Sequence, residues 1–146
     1  ERGLVGTVCE TGAEAVAHAD LIIFCVPVGA IGDVAAELAG AIPANAVISD
    51  VGSSKQNVAT ALAEALPGRA VIPAHPVAGT ERSGPDAGFA SLFRGRWCII
   101  TPPEGADAAK VAAVKFVESM PPKVRLAPEI ASPKSETTTS RPISSA

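Results

Sequence analysis

The segment PAHPVAGTERSGPDAGF, residues 73–89, carries His75, one of only two histidines in the chain. It completes an apolar run, AVIPA, and opens onto Pro, Gly, Thr, Glu, Arg and Ser. In α/β proteins, ligands bind outside the carboxyl ends of strands, and a histidine where a strand-like run gives way to a polar loop is at such an end. Neutral imidazole titrates near working pH and accepts a proton from a substrate hydroxyl, so the chemistry expected of His75 is that of a general base. The plainer alternative is a histidine hydrogen-bonded within its loop.

Two further loops follow apolar runs in the same way, CVPVG at 25–29 and SDVGSSK at 49–55. Ser53, Ser54 and Lys55 open a helix there, whose free N–H groups suit an anion. Ordinary N-capping by serine explains the same residues. A Ser53–His75–Asp50 hydrolase is disfavoured because no G-x-S-x-G elbow is present. A phosphate loop is excluded because the order G-x-x-x-x-G-K-[ST] is absent. His18, in the polar helical segment EAVAHAD, reads as a solvated residue. Arg96 and Trp97 introduce an apolar strand, with Trp97 expected to anchor in the core and no support for a substrate role of Arg96.

Alternating strands and helices must position these loops. ADLIIFCVP predicts a buried strand at about 20–26, and VGAIGDVAAELAGAI predicts a helix closed by Pro43. NAVISDVGS predicts a strand at 46–51, and SSKQNVATALAEAL a helix stopped by Pro67 and Gly68. RAVIPA is the third strand, RWCIITP at 96–102 the fourth, and DAAKVAAVKFVESM a third helix. This order implies right-handed βαβ units and a parallel sheet. From Pro121 the text becomes PPKVRLAPEIASPKSETTTSRPISSA, rich in Ser, Thr and Pro, and without period beyond KVRLA. The expected division is a domain over 1–120 and an irregular or disordered tail over 121–146.

Composition agrees with the α/β class. The chain has 146 residues, 47% of them hydrophobic and only 3% aromatic, with no Tyr. That is the palette of parallel strands under Ala-rich helices. A net charge of −3 with no basic cluster gives nucleic acid no footing. The apolar run at 21–32 is far short of the ~20 residues of a membrane span and is broken by Pro27. Cys9, Cys25 and Cys98 lie far apart with no C-x-x-C, which suggests neither a disulfide framework nor a metal site and fits a reducing cytoplasm. The first residues show no initiator Met and no signal-peptide order, so the chain is expected to begin inside a longer protein.

Taken together, DVGSSK, PAHPVAGTERSGPDAGF and LFRGRWCIITPPE resemble the prephenate/arogenate dehydrogenase family of tyrosine biosynthesis, in particular its bacterial cyclohexadienyl dehydrogenase members. The similarity runs over about residues 1–120. The block H-P-x-A-G-T-E-x-S-G-P carries it, whereas ADLIIFCVP is shared with many nicotinamide dehydrogenases. The resemblance implies a partial Rossmann-like doubly wound parallel sheet, with the first two strands and the glycine-rich turn missing. It also implies oxidative decarboxylation of prephenate or arogenate with NAD or NADP. By the same resemblance His75 is the catalytic base and Ser53 is a second catalytic residue beside the reacting hydroxyl and nicotinamide. Thr80 and Glu81 would line the substrate pocket, and Val26 and Pro27 the cofactor ribose.

Family members are homodimers through a helical domain, which the tail from Pro121 does not match. The family's G-x-G-x-x-G turn has no counterpart in residues 1–146. Two other readings are a catalytically inactive fragment of such an enzyme and a related β-hydroxyacid dehydrogenase, the second disfavoured by the H-P-x-A-G-T-E block. In the strand order 3-2-1-4-5-6, the runs at 20–26 and 46–51 are assigned to the third and fourth strands. That assignment predicts a two-strand gap between them.

Overall fold

In a computed structural model, the structure describes residues 6–79, 87–89, 91–118 and 123–126, the backbone alone for 116–118 and 123–126. The chain opens with a short helix, α1 (Gly12–Val16), capped by Thr11, whose hydroxyl accepts from the Glu14 N–H. His18 lies exposed just beyond it.

Three parallel strands follow in sequence order: β1 (Leu21–Phe24), β2 (Val47–Asp50) and β3 (Ala70–Val71). Leu21 pairs with Val47 and Phe24 with Asp50, so β1 and β2 end level at their carboxyl edges. This direct pairing corrects the third-and-fourth-strand assignment. No gap separates the two strands, and consecutive neighbours added in one direction form one arm of a doubly wound sheet.

Helices cover this sheet because their apolar residues recur at helical spacing. The predicted helix from Val28 divides into a 3₁₀ turn, Val28–Ala30, and α2 (Ile31–Leu38), which buries Ile31, Ala35 and Leu38. Helix α3 (Lys55–Ala65) buries Val58 and Leu62 and ends before Pro67 and Gly68, the latter at φ 73°. Positive φ is cheap only for glycine, so this stop is written in the sequence. Ile22, Phe24 and Ile48 of β1 and β2 pack with these helices into one core. Val47, on the opposite face of β2, joins Ile72, Ala74, Cys98, Ile100 and Val114 in a second. Val114 comes from α4 (Ala108–Glu118), so helices lie on both faces of β2.

The predicted third strand is interrupted. After the Ile72 N–H bonds to Ile48 O at 2.7 Å, Pro73 has no N–H to offer and cannot continue a ladder. The chain turns to a new partner as β4 (Ala74–Pro76), antiparallel to β5 (Trp97–Ile100), with His75 opposite Ile99. The strands thus form two sheets, a parallel one of β1, β2 and β3 and a second that begins with the antiparallel pair β4 and β5, rather than the one parallel sheet expected. A further strand, β6 (Lys123–Leu126), runs parallel to β5. KVRL, the one patterned stretch past residue 120, is thus the third strand of the second sheet. Residues 127–146 lie outside the described residues. Trp97 is corrected too, being 48% exposed on β5 while its neighbour Cys98 faces inward.

Candidate active site

The carboxyl ends of β1 and β2 release two loops that touch. A Cβ added to Gly52 would stand 2.9 Å from Val28 Cγ2 and 3.1 Å from Asp50 Oδ2, so only glycine lets the β2–α3 loop lie this close to the start of the 3₁₀ turn. Asp50, the last residue of β2, is fully buried. A buried carboxylate is tolerable only when paired and hydrogen-bonded. Its Oδ2 accepts from the Gly52 N–H at 2.8 Å and from Lys55 Nζ at 2.5 Å. The same ammonium donates to the Ala74 carbonyl at 2.5 Å. One lysine thus connects the end of β2, the first turn of α3 and the residue before His75.

His75 completes the arrangement. Its Nδ1 lies 3.1 Å from the Val51 carbonyl oxygen. A carbonyl can only accept, so in neutral His75 the proton sits on Nδ1 and Nε2 carries the lone pair. This is the tautomer a general base needs if Nε2 is the atom that meets the substrate. His75 lies within β4 rather than in the loop after it, and is half-buried. Because the partner is a carbonyl and Asp50 is committed to Lys55 and Gly52, the Ser–His–Asp hydrolase arrangement is not formed.

Ser53 is exposed, two residues after the carbonyl that holds His75, so one loop brings these two predicted residues together. Helix α3 starts only after Ser54, and the Ser54 side chain makes no capping hydrogen bond. Capping does not account for the serines. Val26 is half-buried and Pro27 exposed in the neighbouring loop after β1. Thr80 and Glu81 lie outside the described residues. Among the described residues no group of three or more His, Cys, Asp or Glu could hold a metal, and no helix is long and apolar enough to cross a membrane.

The sequence reading missed Lys55 and Asp50 as a structural pair. A signal was present, since an aspartate ending the apolar run AVIS must be buried and must find a cation.

A parallel sheet with helices on both faces, and polar loops converging at the carboxyl ends of adjacent strands, is the architecture of a doubly wound nucleotide-binding domain. The chain belongs to the prephenate dehydrogenase family, whose nucleotide-binding-domain model matches residues 1–125. Its sequence is 46% identical over 101 residues to the cyclohexadienyl dehydrogenase of Zymomonas mobilis, a match covering 69% of this chain and 34% of that enzyme. Its structure is similar to Aquifex aeolicus prephenate dehydrogenase in complex with hydroxyphenyl propionate and NAD+, with TM-score 0.68, 28% identity, and coverage of 75% of this chain and 38% of that one. Synechocystis arogenate dehydrogenase is similar with TM-score 0.71 and 27% identity, covering 80% of this chain and 41% of that one. The chain therefore spans between a third and a half of the length of these relatives.

The residues present fit part of a dinucleotide. Pro27 and Ser53 are both exposed in the loops that follow β1 and β2, which leaves that edge open to a ligand. The pyrophosphate half has no G-x-G-x-x-G turn in residues 1–146 to receive it.

Proposed function

We propose that the chain supplies the nicotinamide-facing half of a prephenate or arogenate dehydrogenase, with His75 as the general base. The observation that carries this reading is the bond between His75 Nδ1 and the Val51 carbonyl, which leaves Nε2 as the proton acceptor at the carboxyl edge of the sheet.

In this mechanism Nε2 takes the proton of the substrate's ring hydroxyl, and the forming carbonyl pushes hydride off the same ring carbon. Ser53 donates a hydrogen bond to that oxygen and orients it. Bound NAD or NADP supplies the hydride acceptor, held beside Val26, Pro27 and Ser53. Loss of the ring carboxylate as carbon dioxide leaves its bonding electrons to complete the aromatic ring. Thr80 and Glu81 belong to the substrate loop in this reading, and the assembled enzyme is a cytoplasmic homodimer.

The test is a chimera in which this chain's matched segment replaces its counterpart in the Zymomonas mobilis enzyme. The chimera is expected to reduce NAD or NADP in the presence of prephenate or arogenate. A folded chimera that binds NAD and oxidises neither substrate would contradict the proposal.

A further inference from the structure

We infer that Lys55 is a positioning residue for His75, acting as a brace that fixes the main chain on which the imidazole is mounted. The inference rests on the reading of His75 as the base.

Two strands must be held in register for Nδ1 to reach Val51 O, yet the ladder that would hold them stops short. Among the described residues the main-chain bonds from β2 to the following chain end at Ile72, whose N–H reaches Ile48 O. Pro73 offers no N–H. Beyond it, the chain bonds to β5: Thr101 N–H to Pro73 O at 2.9 Å, and Val77 N–H to Trp97 O at 2.7 Å. Antiparallel ladders alternate, so with residues 73 and 77 facing β5 the carbonyl of Ala74 faces the other way, towards β2.

Lys55 fills the place of the missing rung. Its Nζ joins Ala74 O to Asp50 Oδ2, both at 2.5 Å. The same carboxylate oxygen holds the Gly52 N–H and so fixes the peptides on either side of Val51, whose carbonyl holds the imidazole. Asp50, Lys55, Ala74, His75 and Val51 form a closed ring of contacts, and Lys55 is the member that spans the two strands. Its side chain is 14% exposed and that of Asp50 fully buried, so water competes little for either bond. A structural lysine would stabilise the loop without affecting which ring nitrogen carries the proton. A brace controls it, because loss of register frees Nδ1 from Val51 O.

The chain contains only His18 and His75, which makes imidazole nitrogen NMR on the intact chain a direct readout. At a pH where the rings are neutral, His75 in the wild-type chain is expected as the Nδ1–H tautomer. Lys55→Met alone would leave Asp50 buried without its cation, so it is combined with Asp50→Asn, and the Asp50→Asn single variant, which retains the lysine, serves as control. In the double variant the Nδ1–H form is expected to fall to a minority. The single variant is expected to retain it, with His18 unchanged in all three. Retention of the Nδ1–H form in the double variant, or its loss in the single variant alone, would overturn the brace. Absence of that form from the wild-type chain would instead contradict the assignment of His75 as an Nε2 base, which separates the two failures.

Discussion

The ammonium of Lys55 and the carboxylate of Asp50 meet at 2.5 Å beneath the loop that carries Ser53, with Asp50 fully buried and Lys55 nearly so. Breaking a buried ion pair by removing one partner costs about 3–5 kcal/mol, because the charge left behind is neither solvated nor neutralised. Lys55→Met is therefore expected to lower unfolding free energy by about that amount. Adding Asp50→Asn should restore a large part, since the orphaned charge is gone. Urea denaturation of the three chains measures both steps. An unchanged midpoint for Lys55→Met would show that the pair is screened.

Gly52 is held between Val28 and Asp50 on two adjoining loops. A methyl group there would meet Val28 Cγ2 at 2.9 Å, and Asp50 is pinned by Lys55. Gly52→Ala is expected to cost about 1–3 kcal/mol, the usual penalty for overpacking. Thermal unfolding reads this directly, and a variant as stable as wild type would mean that the loop shifts freely.

Much of this arrangement was legible in the residues. Runs such as LIIF and VISD announced buried strands because strands with both faces covered are apolar throughout. His75 and Ser53 each follow such a run, and the structure places Ser53 two residues after the Val51 carbonyl that meets His75. Strand pairing was less legible because it is non-local. Pro73 marks where the third strand breaks, but nothing near it reveals that β5 is the new partner. The direct pairing of β1 with β2 likewise depends on partners rather than on the strands themselves. Trp97 was misread because β5 buries only one of its faces fully, and alternation puts Cys98 inside and Trp97 outside. Lys55 was read only as part of a helix start, and its partner Asp50 came into view with the fold.

Cofactor binding gives a third expectation. In the proposed reading the Pro27 and Ser53 loops meet the nicotinamide half of a dinucleotide, but residues 1–146 contain no G-x-G-x-x-G turn to fix its phosphates. The chain by itself is expected to bind NAD or NADP no better than millimolar, roughly −4 kcal/mol, and to oxidise no prephenate. Calorimetric titration tests this. Micromolar affinity would show that these loops grip the phosphates in another way.

The central claim is that His75, with Nδ1 tied to Val51 O, removes the substrate's hydroxyl proton through Nε2. Replacing His75 by Asn in the chimera with the Zymomonas mobilis enzyme removes the base while leaving a side chain that can still bond the carbonyl. The account predicts a fall in kcat of about 10²- to 10⁴-fold, the usual worth of general-base catalysis, with the KM for NAD little changed. A near-normal kcat in the His75→Asn chimera would contradict it.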